Sequence, residues 1–237
     1  VGFYSAGFLI VNAYVGMIFT AMSTDYFPRL AAINTDNKKM NVAVNQQADV
    51  AILLITPVIV LFLTFAPFIV ELLYSSTFNV IIGFVTFGVL GTFFKAVSFS
   101  LGYVIIAKGH SKVFITLSVI FNSLFLIISI VSYNIGGLTG IGIGFLGYYF
   151  IHFIALKVLT KYLYEISLTK SFYRTFLICA IICGCSFLAT LLETVYLRYV
   201  LMLLLVVISA YYSLKQFDKK MDLIGFIKSI FKKEPKD

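Results

Sequence analysis

VIIGFVTFGVLGTFFKAVSFSLGYVIIAKGHSK, residues 80–112, is the stretch on which the fold turns. Its first part, 80–106, is apolar except for small hydroxyls and one charge, Lys95, and it closes on Lys108 and Lys112. At a rise of 1.5 Å per residue such a helix reaches about 40 Å, more than the ~30 Å of a bilayer core. The run therefore reads as a membrane-crossing helix that must tilt, bend or break, with Gly83, Gly88 and Gly91 as places to do so. Lysines directly after it mark a cytoplasmic boundary.

Working outward, the same pattern recurs along the chain. Apolar runs lie near 4–22, 50–74, 80–106, 113–133, 138–158, 173–192 and 195–214, seven in all. Sixteen of the eighteen Lys and Arg residues fall in alternate connections. One side holds Arg29, Lys38 and Lys39, then Lys108 and Lys112, then Lys157, Lys161, Lys170 and Arg174, and finally the lysines of the tail. The other side holds only Arg198, and Lys95 lies inside a run. By the positive-inside rule the first run enters from outside and the C-terminus is cytoplasmic. A hydrophobic fraction of 61% and a mean hydropathy of +1.02 leave too little polar surface for a water-soluble globule of 237 residues. The expected fold is an all-α integral membrane protein of about seven transmembrane helices, with residues 1–214 as the bundle and 215–237 as a cytoplasmic basic amphipathic tail.

The formal charge of +8 is placed at membrane boundaries, where retention of positive loops and attraction to anionic lipids of the inner leaflet account for it, so no nucleic-acid partner is expected. In the tail, Phe217, Met221, Ile224 and Phe231 recur at roughly helical spacing between lysines, which reads as an in-plane helix on that leaflet. The inner connection Ser23–Asp49 reads as a surface-lying helical segment interrupted by Pro28, with Asp25 and Arg29 at i,i+4. The outer connections 75–79, 134–137 and 193–194 are short turns, which excludes an extracellular catalytic domain and argues against a polymerase, a ligase or a glycosyltransferase. The chain opens on Val1 and enters a membrane run at once, which suggests a piece of a longer protein. A seven-span receptor has the same threading, but the last run carries no mid-depth lysine for a retinal Schiff base.

Lys95 is the most informative side chain. Roughly 20 Å of helix separates it from either surface, beyond the reach of snorkelling. A lysine at the bilayer centre costs about 2.5–3.5 kcal/mol on insertion scales, so it faces either an anionic ligand in a cavity or a carboxylate elsewhere in a longer chain. No acidic residue of this chain lies at its depth, since Glu71 is near the outer end of its run. Asn12 and Asn122, near the centres of the first and fourth runs, are candidates for substrate binding or for interhelical hydrogen bonds. His152 is a candidate proton relay or a structural histidine, and Glu71 a candidate ion site or an interfacial carboxylate. Pro57 and Pro67 each remove a helical hydrogen bond, so the second run reads as a kinked helix or a hinge.

Two patterns carry less than they suggest. Gly142, Gly144 and Gly147 spell GxGxxG, and Gly136, Gly140 and Gly144 recur every fourth residue, but within an apolar span and without a preceding strand this reads as close helix packing rather than a dinucleotide loop. Cys179, Cys183 and Cys185 have no polar companions in their run and read as small apolar residues. No metal, cofactor or catalytic residue is expected.

The chain resembles a known family in several places. Tyr4-Ser5-Ala6 opens the first run, Tyr26-Phe27-Pro28-Arg29-Leu30 follows it, Asn45-Gln46-Gln47 precedes the next, and Pro67 through Ser75 with Phe78 closes that one. Gly91-Thr92-Phe93-Phe94-Lys95-Ala96, continuing through Leu101-Gly102-Tyr103 to Ala107-Lys108-Gly109 and Lys112, is the most specific stretch. These patterns are similar to polysaccharide flippases of the O-antigen translocase type, within the multidrug/oligosaccharidyl-lipid/polysaccharide exporter superfamily. The resemblance implies the C-terminal part of a transporter of 12 to 14 helices, whose two lobes enclose a cavity and alternate between inward-open and outward-open forms. It implies an undecaprenyl-pyrophosphate-linked glycan (an O-antigen or capsular repeat unit) as cargo in the bacterial inner membrane, an N-terminal lobe of the same chain as partner, and Lys95 as a cavity cation. The alternative is a cation-coupled multidrug antiporter of the same superfamily, which would use intramembrane carboxylates; a different class is a receptor or structural membrane subunit.

Overall fold

Apolar segments of this length have one way to satisfy their backbone in hydrocarbon, which is to bond internally as helices. The computed structural model describes residues 2–221, and among the described residues there is no strand. Helix α1 runs Gly2–Ala32 with a single π turn at Ile10–Tyr14, and α2 runs Asn37–Leu73. A 3-10 turn, Ser76–Ile81, leads into α3, Ile82–Ala107. A helical stretch of 54 residues follows, Ser111–Tyr164, and then α6, Lys170–Thr190, and α7, Val195–Met221.

The 54-residue stretch is not one rod. Gly136 leaves the helical region and Gly137 takes φ 56° and ψ −138°, a backbone state closed to residues with a Cβ. The chain reverses there. Phe125 lies 4.9 Å from Tyr148 and Phe121 lies 4.4 Å from His152, ring centre to ring centre, pairs that a straight helix would hold more than roughly 30 Å apart. The stretch is therefore a hairpin of two antiparallel helices, α4 (111–135) and α5 (138–164). By length and composition six helices among the described residues are able to cross a bilayer, and this hairpin is counted as one of them. That count and the seven apolar runs of the sequence differ only at Gly137.

Helix ends depart from the hydropathy boundaries in one direction. A hydropathy window sees only the apolar centre of a helix, whereas α1 continues past residue 22 through Asp25, Pro28 and Arg29, and α2 begins well before residue 50. The inner connection between them is thus 33–36, in place of the separate surface helix expected over Ser23–Asp49. Asp36 starts α2 by accepting the backbone N–H groups of Lys38 and Lys39 at 3.0 and 3.1 Å. Both Pro57 and Pro67 lie inside α2. Helix α7 runs without a break past residue 214, the expected end of the bundle, to Met221; the remainder of the tail lies outside the described residues.

Helices α2 and α3 form the centre. α3 packs against α2 on one side and the α4–α5 hairpin on the other, while α2 also carries α6 and α7. α4 is peripheral, with no buried residue along its length. Contact between apolar helices in lipid rests on close van der Waals fit, and glycine supplies it. A Cβ on Gly142 would lie 2.7 Å from the backbone oxygen of Phe84, and one on Gly91 3.1 Å from the Cα of Leu146. The glycines of α3 therefore seat neighbours; they do not break the helix, which is continuous from residue 82 to 107.

The end of the bundle that carries Lys108 is held by polar contacts. Lys108 Nζ donates to the Asn34 carbonyl and to Asn37 Oδ1, and Asn34 Nδ2 donates to the Ala107 carbonyl at 3.3 Å. Tyr26, fully buried, donates to the Ser100 carbonyl at 2.8 Å and joins α1 to α3.

Candidate functional site

One face of α3 presents Lys95, Ser98, Phe99, Gly102 and Tyr103, residues spaced at i, i+3, i+4, i+7 and i+8. The hairpin faces it with Phe121 and Asn122 from α4 and with Tyr148, Tyr149 and His152 from α5. Between them is a cavity of about 350 Å³. Its walls toward the Lys108 end of α3 are mostly apolar, built from Ile105, Ile106, Phe114, Leu117 and Leu156 with Ser118 among them, and Lys95, Ser98, Asn122 and His152 line the rest.

Lys95 Nζ donates to Asn12 Oδ1 at 2.9 Å, across 83 residues of sequence. Asn12 lies in the π turn of α1. Gly16 belongs to the same device, since a Cβ there would lie 1.9 Å from the Asn12 carbonyl oxygen. Asn12 Nδ2 donates back to the Phe8 carbonyl at 3.3 Å, which fixes the oxygen toward the lysine. The ammonium also lies 5.4 Å from the centre of the Tyr149 ring and 5.7 Å from that of Phe19. Aromatic faces attract a cation without neutralising it. Among the described residues Lys95 makes no ion pair. An ammonium has three N–H groups and Asn12 takes one of them, so the charge remains available to a ligand.

Two further polar groups on the same cavity are unsatisfied. Ser98 Oγ and His152 Nδ1 are buried and have no hydrogen-bond partner among the described residues. Such groups cost free energy unless a ligand or water meets them. The His152 ring packs edge-on against Phe121 and parallel to Tyr148 at 5.6 Å, which fixes its orientation. A cation, a hydroxyl and an imidazole among aromatic faces suit a ligand that is anionic at one point and hydroxylated elsewhere.

The structure brings Lys95, Asn122 and His152 to one cavity and links Asn12 to it through Lys95. Asn122 is exposed and stands at the rim. Glu71 is exposed near the end of α2, apart from the cavity. Pro57 and Pro67 lie on α2, which contributes no wall to it. Cys179 and Cys183 are buried, Cys185 is exposed and none of the three forms a disulfide; among the described residues no group of His, Cys, Asp and Glu is placed to hold a metal ion. Sequence reasoning passed over Ser98, Tyr148 and Tyr149. Their signal was positional: Ser98 is one turn past Lys95 on α3, and the tyrosines are one turn before His152 on α5.

Residues 1–83 match a family model described as "Polysaccharide biosynthesis protein". That is about a third of the chain, and it contains α1, with Asn12, together with α2. The similarity therefore covers the helix that steadies Lys95 and ends in the first turn of α3, before Lys95 itself. No curated protein and no solved structure matches the chain. A stretch like polysaccharide biosynthesis proteins, in a chain of helices long enough to cross a bilayer, gives a polysaccharide-related membrane setting for the cavity.

Proposed function

We propose that this chain is part of a flippase that moves an undecaprenyl-pyrophosphate-linked oligosaccharide, an O-antigen or capsular repeat unit, across the bacterial inner membrane. The observation that carries the reading is Lys95, an intramembrane cation held by a neutral amide and two aromatic rings with no ion pair among the described residues. A fixed carboxylate partner would cancel that charge, whereas a passing pyrophosphate or acidic sugar is stabilised by it in a low-dielectric passage. Lysine suits a moving headgroup, because its ammonium is a point charge on a flexible stem. The tyrosines beside it present apolar ring faces to sugar rings, and Ser98 and His152 offer hydrogen bonds to hydroxyls. The isoprenoid tail stays in lipid while the hydrated glycan crosses.

In this reading the protein is a transporter rather than an enzyme. Its C-terminus is cytoplasmic, and the cavity is completed by a second, N-terminal lobe in a protein of 12 to 14 helices that alternates between inward-open and outward-open forms. The polar surface left on α4 and α5, including Asn122, is where that lobe and the cargo meet the bundle. An ion-coupled antiporter needs an intramembrane carboxylate, and none lines the Lys95 cavity.

The test is complementation with the intact gene in a strain lacking its own O-antigen flippase. Wild type restores surface glycan; Lys95→Ala at equal membrane abundance loses it, and Lys95→Arg keeps part of it. Full activity in Lys95→Ala removes the lysine from the mechanism and the reading with it.

A further inference from the structure

A second cavity, of about 270 Å³, lies at the other end of the bundle between α2, α3, α6 and α7, and it shares no lining residue with the Lys95 cavity. Thr64 and Pro67 of α2, Thr86 of α3, Thr190 of α6 and Arg198 of α7 supply its polar and special groups. Arg198 is the one basic residue that the sequence places on its side of the membrane. It is half-buried, its guanidinium lies 5.2 Å from the centre of the Tyr199 ring, and it makes no ion pair among the described residues. Glu193, five residues before it, does not neutralise it.

The hydroxyls that line this cavity with Arg198 sort by role. Thr64 donates to the Val60 carbonyl at 2.7 Å and Thr190 to the Phe187 carbonyl at 2.6 Å, so both have spent their protons and offer the cavity only lone pairs. Thr86 makes no hydrogen bond among the described residues and keeps its proton to donate. Pro67 has no N–H, so the Leu63 carbonyl one turn earlier on the same wall lacks its regular helical donor. The cavity therefore combines donors that suit an anion, Arg198 and Thr86, with acceptors that suit hydroxyl groups, Thr64, Thr190 and the Leu63 carbonyl. A guanidinium presents paired N–H groups that match two oxygens of a phosphate.

We propose that the Arg198 cavity binds a hydroxyl-bearing phosphate, of the kind presented by a glycerophospholipid headgroup or by a soluble sugar or glycerol phosphate. Its volume holds a headgroup and no more. The proposal does not depend on the transport reading, since Lys95 takes no part in it.

The experiment is native mass spectrometry of the intact, delipidated protein in detergent, titrated with phosphatidylglycerol, with phosphatidylcholine and with glycerol phosphate. One phosphatidylglycerol binds, at least threefold tighter than phosphatidylcholine, whose headgroup lacks hydroxyls. Arg198→Gln weakens that binding tenfold or more, Thr86→Val about threefold, and Lys95→Met leaves it unchanged. Met202→Trp, which fills the cavity and keeps the guanidinium, abolishes it, so the test survives if Arg198→Gln does not fold. Displacement by glycerol phosphate assigns the site to soluble phosphates, and its absence to lipid headgroups. Binding equal to wild type in a monodisperse Arg198→Gln or Met202→Trp protein overturns the proposal, as does equal binding of the two lipids.

Discussion

Lys95 on α3 and Asn12 on α1 meet at 2.9 Å, so the cation in the middle of the bundle is held by a group that orients it without cancelling its charge. The consequence is a trade of stability for function. Replacing Lys95 with the similarly shaped, uncharged Met removes an insertion cost of about 2.5–3.5 kcal/mol and loses a charge-assisted hydrogen bond worth about 1.5–3 kcal/mol. Lys95→Met is expected to raise the apparent melting temperature in detergent while surface glycan is lost. A lower melting temperature would show that the lysine is a structural element.

The same pair predicts that Asn12→Asp is more damaging to function than Asn12→Ala. A carboxylate at this distance turns a free cation into a neutral pair, as in an antiporter, while the truncation leaves the charge in place. Complementation should fail in Asn12→Asp at normal abundance and be only reduced in Asn12→Ala. Equal activity in the two would mean that the charge of Lys95 is not what the cargo uses.

The first and last glycines of the GxGxxG pattern should differ sharply. A Cβ on Gly142 meets the Phe84 backbone oxygen at 2.7 Å, and backbone does not yield, so Gly142→Ala must push α5 from α3 at a cost of about 1–3 kcal/mol. Gly147 has nothing within 4 Å, so Gly147→Ala gains helix propensity, about 0.5–1 kcal/mol. Thermal unfolding of the two variants reads the difference, and equal shifts would contradict the helix-seating role of Gly142.

Hydropathy and charge asymmetry made the helical membrane fold legible, because both follow from the solvent the helices sit in. The centre of the cavity was legible for the same reason: a lysine at mid-depth needs an explanation in any arrangement of helices. Its partner was not, since Asn12 is 83 residues away and lies in a π turn that no local pattern announces. The start of α2 was hidden because Lys38, Lys39, Gln46 and Gln47 end a hydropathy window while remaining good helix formers. Glu71 drew attention as a rare acidic residue, but it lies exposed near the end of α2 and away from the cavity. The roles of Ser98 and Tyr149 arise only when α3 faces the hairpin, and the fold of that hairpin rests on Gly137.

Asp36 gives a pH dependence outside the membrane. The backbone N–H of Lys39 holds its carboxyl below the ordinary aspartate value; desolvation opposes this, and the Lys39 charge and the Lys38 N–H add to the lowering. A depressed folded-state value means that the cap stabilises above the unfolded value and fades as pH falls through the folded one. Wild type should therefore melt above Asp36→Ala at pH 7, with the gap closing as the pH is taken below the aspartate range. A gap independent of pH would show that the ionised carboxylate is not the capping species.

The end of the bundle that carries Lys108 offers the sharpest test of how α6 is placed. Asn45, buried on α2, donates to the Ser167 carbonyl at 2.9 Å and accepts the Thr169 N–H at 2.8 Å, while Asn41 one turn earlier accepts the Ser167 N–H at 2.9 Å. Thr169 is itself the cap of α6, accepting the Phe172 N–H. Two side chains of α2 thus hold the 165–169 connection as a neighbouring strand would, and set where α6 begins. Asn45→Ala removes two part-buried hydrogen bonds, at a cost of about 1–3 kcal/mol. Asn41→Ala removes one acceptor for an exposed residue and costs less. Trypsin should then cut at Lys170, next to the connection, at least tenfold faster in Asn45→Ala than in wild type, with Asn41→Ala between them. Unchanged cleavage in Asn45→Ala would mean that packing of Phe172 and its neighbours, rather than the asparagine pair, fixes the start of α6.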